Sequence, residues 1–107
     1  MTRKIRKSKP LKKIVDELFP IKEKYGGGQV KIEAWGDNYG NIVKYSMAYI
    51  NYAIFTEDNG RVIGYDNTHN YHHRHSFGEI FPVEDFTTYK DIVDRFEKEV
   101  REIIKWV

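Results

Sequence analysis

The chain has 107 residues and a mass of 12.8 kDa, enough for one modest domain and too little for two. It has no cysteine, which excludes a disulfide scaffold, a thiolate metal site and a Cys nucleophile, and fits a reducing, cytoplasmic setting. Net charge is only +2, but residues 1–13 hold seven Lys or Arg and no acid, while residues 84–107 hold seven acids against five bases.

Aromatics make up 15% of the chain, too many for a disordered one. No apolar run approaches the ~18 residues of a membrane span. The basic start lacks the apolar core of a secretory signal. Abundant Lys and Glu with a single Gln lean towards a thermophilic composition.

Residues 1–28 read as a basic helical arm. Ser8 can cap, Pro10 suits a first turn, and Leu11, Ile14, Val15 and Leu18 recur at helical spacing. Phe19-Pro20 ends that helix, and a second short turn runs from Ile21 to Tyr25. Gly26-Gly27-Gly28 then reads as a linker. It lacks the Lys-Ser/Thr of a phosphate loop.

Residues 29–107 read as a single α+β domain. Val30, Ile32 and Ala34 alternate with polar residues, as in a half-buried strand. Gly36 to Gly40 is turn chemistry. A long strand, apolar on both faces, is predicted from Ile42 to about Glu57. Asp58-Asn59-Gly60 predicts a tight hairpin, with Arg61 to Tyr65 returning. Asp66 to Gly78 reads as polar and irregular. Glu79 to Val83 reads as a short edge strand because of Pro82. Thr87 or Thr88 caps a final helix. Its stripe of Tyr89, Ile92, Val93, Phe96, Val100, Ile103, Ile104 and Val107 must pack on the sheet. The expected fold is an antiparallel meander of three to four strands under this amphipathic helix, with a short N-terminal helix beside it.

All four histidines fall within seven residues: His69, His72, His73 and His75. Three readings of this segment stay open. In the first, His73 and His75 are base and acid for attack of a ribose 2′-OH on a phosphodiester. Arg74 then grips the phosphate, Asp66 orients a ring, and no metal or other cofactor is required. In the second, His and Asp66 hold a metal ion, since His73 and His75 share a side if the segment is extended. In the third, the cluster is structural. The basic arm (Lys4, Arg6, Lys7, Lys12, Lys13) suits the phosphates of RNA. Base stacking on the Tyr-rich strand is the weaker idea, because Tyr45, Tyr49 and Tyr52 do not share one face.

The order of features resembles the TumE-type toxins of prokaryotic toxin–antitoxin pairs. The likeness covers about residues 29–105. It is carried by Gly64-Tyr65-Asp66-Asn67, His73-Arg74-His75, and Phe81, Pro82 and Phe86 beyond. The basic front, residues 1–28, departs from the family pattern. The resemblance implies a small cytoplasmic toxin neutralised by a helix-turn-helix antitoxin encoded beside it. Analogy with other small α+β toxins suggests RNA or translation as target, as with a metal-independent ribonuclease. The alternative is a non-catalytic module whose His-rich loop holds a metal ion or a protein partner. An unpaired edge at Glu79–Val83 or Val30–Ala34 would allow a homodimer.

Overall fold

The computed structural model describes residues 11–104. Six strands run in chain order across one antiparallel sheet. They are β1 (Lys12–Pro20), β2 (Gln29–Gly36), β3 (Ile42–Ile50), β4 (Arg61–Asp66), β5 (His73–Ser76) and β6 (Glu79–Pro82). One helix, α1 (Tyr89–Ile104), follows and packs on β3 and β4. The α+β class and the C-terminal helix are as the sequence predicts.

Among the described residues the predicted N-terminal helix is absent. The residues predicted to be helical form β1, and a single 3-10 turn at Glu23–Tyr25 follows it. The physical reason is a bulge. The register slips between Lys13 and Val15, so Ile14 interrupts the two-residue alternation. Apolar residues then fall three or four apart while the backbone stays extended and β2 supplies the ladder. Ser8 and Pro10 lie outside the described residues.

The strand count is also higher than predicted. β1 makes Val30–Ala34 an interior segment, so that stretch is not an edge. The segment read as irregular contains β5. The long strand stops at Ile50, because Asn51 turns the chain. Its side-chain oxygen accepts from the Ala53 N–H at 2.9 Å, and its amide nitrogen donates to the Gly26 carbonyl and to Tyr49 Oη. Asp58-Asn59-Gly60 does take positive φ at all three positions, but it closes a wide loop over residues 51–60 and not a two-residue hairpin.

The helix starts as its cap residue predicts. The Asp91 N–H donates to Thr88 Oγ1 at 3.0 Å. Its apolar stripe (Ile92, Phe96, Val100, Ile104) meets Val30, Ile32, Tyr45, Met47, Tyr49, Ile63 and Tyr65 in one core. Strand alternation therefore gives the sheet two unlike faces. One is apolar and lies under α1. The other carries Lys31, Glu33, Trp35, Lys44 and Ser46, and among the described residues no helix covers it.

Candidate functional site

Asp66 ends β4 and pairs across the ladder with His73 on β5. His75 lies two residues on, so it shares the face of His73. All three point to the side of the sheet away from α1, yet all three are buried. The ring of Tyr71 stacks on His73 with centroids 4.5 Å apart. The Arg61 side chain lies over Gly64, where a Cβ would stand 2.8 Å from Arg61 Cδ. Gly64 thus leaves the room through which Arg61 reaches the cluster.

One carboxylate serves both rings. His73 Nε2 is 2.8 Å from Asp66 Oδ1, and His75 Nε2 is 3.0 Å from Oδ2. The Thr68 N–H also donates to Oδ1 at 3.0 Å. Burial pushes the Asp66 pKa up. The hydrogen bonds from Thr68 and the adjacent His73 and His75 rings outweigh it, so the group sits below the ordinary carboxylate value. The His75 pKa is lowered, first by burial and then by the Arg61 charge, against the pull of Asp66. A neutral His75 donates through Nε2–H and leaves Nδ1 free to accept a proton.

His73 differs. Its Nδ1 is 3.0 Å from the Tyr71 carbonyl, an acceptor only, so that nitrogen carries the proton. Its Nε2 then faces a carboxylate oxygen as well. That contact is favourable only with a proton or another cation between the two atoms.

Arg61 binds Asp58 through Nε and Nη2 at 2.9 and 3.1 Å, and its Nη1 lies 3.7 Å from Asp66 Oδ2. Beside the cluster is a hollow of about 470 Å³ whose wall includes Lys44, Asn67, His69, Tyr71 and His72. His72 is stacked face to face on Phe86, with centroids 3.6 Å apart, and its Nδ1 meets Tyr45 Oη at 2.8 Å.

Of the residues named from sequence, Asp66, His73 and His75 are brought together. Arg74 is not among them. It points to the α1 side, where Nε and Nη2 bind Glu99 Oε2 at 2.9 and 2.8 Å. Tyr65 Oη donates to the other oxygen of Glu99, and burial, followed by Glu99, pushes the Tyr65 pKa up to about 12. Lys12 and Lys13 lie on β1, and Lys13 Nζ sits 2.6 Å from Glu33. Lys4, Arg6 and Lys7 lie outside the described residues.

Arg61, Tyr71 and Lys44 escaped the sequence reading. Arg61 reaches the cluster because of a register shift between Tyr49 and Ile50 that no spacing rule encodes.

The family model of the toxin TumE matches residues 23–104. The chain belongs to the TumE toxin family. The comparisons with curated proteins and with solved structures return no match. Gly64-Tyr65-Asp66-Asn67 and His73-Arg74-His75, which carried the resemblance, are the two strands that build this cluster. A toxin of this kind implies an antitoxin as its partner. No helix among the described residues is long and apolar enough to cross a membrane.

Proposed function

We propose that this toxin acts on RNA and that Asp66, His73 and His75, with Arg61 beside them, are its working centre. The observation that carries the reading is the single buried carboxylate shared by two histidines on the face of the sheet away from α1. Burying ionisable groups carries a desolvation cost that their pairing only offsets, and perturbed titratable clusters gather at working sites. In this reading the proton of an attacking 2′-hydroxyl passes to His75 Nδ1. The hydroxyl oxygen bonds to phosphorus, and the 5′-oxygen departs with a proton from solvent. Asp66 holds the ring in the required tautomer.

Arg61, the cation nearest the cluster among the described residues, would face the phosphate, swinging from Asp58. The outer face of Tyr71 is a stacking platform for a base, since 45% of that residue is exposed while its ring rests on His73. Lys44 and Lys13 flank Trp35 on the same side of the sheet, at 4.8 and 5.4 Å from its ring, and extend the path for a phosphate backbone. A helix-turn-helix antitoxin encoded alongside would be the neutralising partner.

The test is growth arrest on induced expression, with the RNA of arrested cells examined for new ends. Arrest and new ends that both vanish with Asp66→Asn, in a variant that still melts cooperatively, support the reading. Full arrest with no change in RNA overturns the RNA target.

A further inference from the structure

We propose that Asp66, His73 and His75 form a binding site for one divalent first-row transition metal ion. The proposal takes its location from the reading of this cluster as the working centre, but ion binding does not require RNA to be the target. Four observations carry it.

The donor atoms converge. One ligand atom from each of the three residues lies within 4.8 Å of the others, and all three residues are buried. Two ligands each about 2.1 Å from a shared ion, at angles of about 90–110°, stand about 3.0–3.4 Å apart. The His73–Asp66 and His75–Asp66 separations of 2.8 and 3.0 Å, one to each carboxylate oxygen, are near that range.

The second observation is the orientation of His73. Its Nδ1–H donates to the Tyr71 carbonyl, the outer partner that metal-bound imidazoles characteristically have. That bond aims the Nε2 lone pair at a carboxylate oxygen. A cation between them resolves the conflict.

Third, the donors stand on adjacent, hydrogen-bonded strands in fixed register, so little ordering cost remains to be met on binding. Fourth, the competing cation is already engaged. Arg61 is held by both oxygens of Asp58 and stays 3.7 Å from Asp66.

Two imidazoles and one carboxylate select a borderline metal, from Mn²⁺ to Zn²⁺, over Mg²⁺ or Ca²⁺. Three protein ligands leave further positions for water or substrate. With the ion bound, His75 would ligate through Nε2 and carry its proton on Nδ1. The ion-loaded centre and the ion-free proton relay are therefore alternatives.

The experiment uses the untagged full-length chain stripped with EDTA. It is titrated with Zn²⁺, Mn²⁺, Ni²⁺ and Co²⁺ by calorimetry, with melting followed in parallel. One ion per chain and a higher melting temperature are expected. Asp66→Asn should weaken binding by more than the 10–100-fold that loss of an outer partner costs. His69→Ala should bind as wild type. Because variants of buried residues can fail to fold, Zn²⁺ is also added to ¹⁵N-labelled wild type. The Nε2 signals of His73 and His75 should shift, and those of His69 and His72 should not. Saturable binding by none of the four ions, or shifts confined to His69 and His72, overturns the proposal. RNA cleavage by a chain that binds none of the four ions would leave the RNA reading standing and overturn the ion proposal. Ion binding without RNA damage would do the reverse.

Discussion

The two faces of the sheet share the same strands and have opposite contents. On β4 and β5, Ile63, Tyr65 and Arg74 turn to α1, while Asp66, His73 and His75 turn away from it. On the helix side, polar atoms are few and matched: Tyr65, Arg74 and Glu99 satisfy one another. On the other side, three ionisable groups are buried against each other with one ring nitrogen left free. The covered face gains its stability from apolar area. The open face holds groups whose burial costs stability and whose geometry suits proton or metal chemistry. Substitutions on the two faces should therefore separate folding from toxicity.

The largest expected effect on folding lies at the centre of the covered face. Phe96 is fully buried and meets Tyr65 edge to face, with centroids 6.5 Å apart. Phe96→Ala should cost about 3–5 kcal/mol, a large share of the stability of a domain this size. Chemical denaturation of the purified variant checks this. A loss under 1 kcal/mol would mean that α1 is not what holds the sheet.

Asp66→Asn should do the opposite. It keeps the side chain's shape but removes the charge that both rings share. Toxicity should fall by about 10²–10⁴ if the cluster moves protons, with a smaller loss of stability than Phe96→Ala causes. The double variant His73→Ala/His75→Ala should be equally inactive. Undiminished growth arrest by either folded variant would move the working centre elsewhere.

Acidity offers a third way to separate the faces, and the sign follows from linkage. The folded pKa of His75 is lowered, chiefly by burial, and so is that of His72. Their contribution is fully present above the unfolded value of about 6.5. It is lost as pH falls from there through the lower folded values, because the unfolded chain takes up protons first. Asp66, also lowered, adds a second loss below its unfolded value of about 3.9. The melting temperature should therefore drop in two stages on acidification. His75→Gln should flatten the first stage. A melting temperature unchanged between pH 7 and pH 5 would mean that neither ring is held neutral.

These contrasts also mark what the sequence could reveal. Asp66, His73 and His75 were legible as candidates because clustering and type need no fold. Their convergence was not, since it depends on β5 pairing with β4, and a four-residue strand of polar residues carries no apolar alternation to betray it. Helix α1 was legible to its cap, because Thr88 and a four-turn apolar stripe are local signals. β1 was misread because its bulge imitates helical spacing. Arg74 was grouped with its neighbours by sequence, whereas the two-residue period sends it to the opposite face.

Arg74 gives a smaller and sharper test. Its bonds to Glu99 tie β5 to α1 and touch nothing in the cluster. Arg74→Lys breaks the two-nitrogen grip on Glu99 and should lower stability by about 1 kcal/mol. Toxicity should persist. Loss of toxicity at unchanged melting temperature would instead return Arg74 to the working centre.

The smallest effect separates two lysines that flank one tryptophan. Lys13 lies 2.6 Å from Glu33 and 3.5 Å from Asp16, so its charge is already matched. Lys44 stands 4.8 Å from the Trp35 ring and has no carboxylate partner among the described residues. Both are surface residues, so neither Lys13→Gln nor Lys44→Gln should change the melting temperature measurably. RNA affinity should distinguish them. A lysine that neutralises a phosphate contributes nearly one unit to the slope of log K against log salt. Lys44→Gln should therefore flatten that slope by about 0.7 on a single strand. Lys13→Gln should flatten it less, because a phosphate must compete with Glu33 for the same ammonium. Binding measured over a salt series with an inactive Asp66→Asn background checks both. Equal slopes for the two variants and their parent would remove this side of the sheet from the RNA path, and would leave the hollow beside Tyr71 as the place to look.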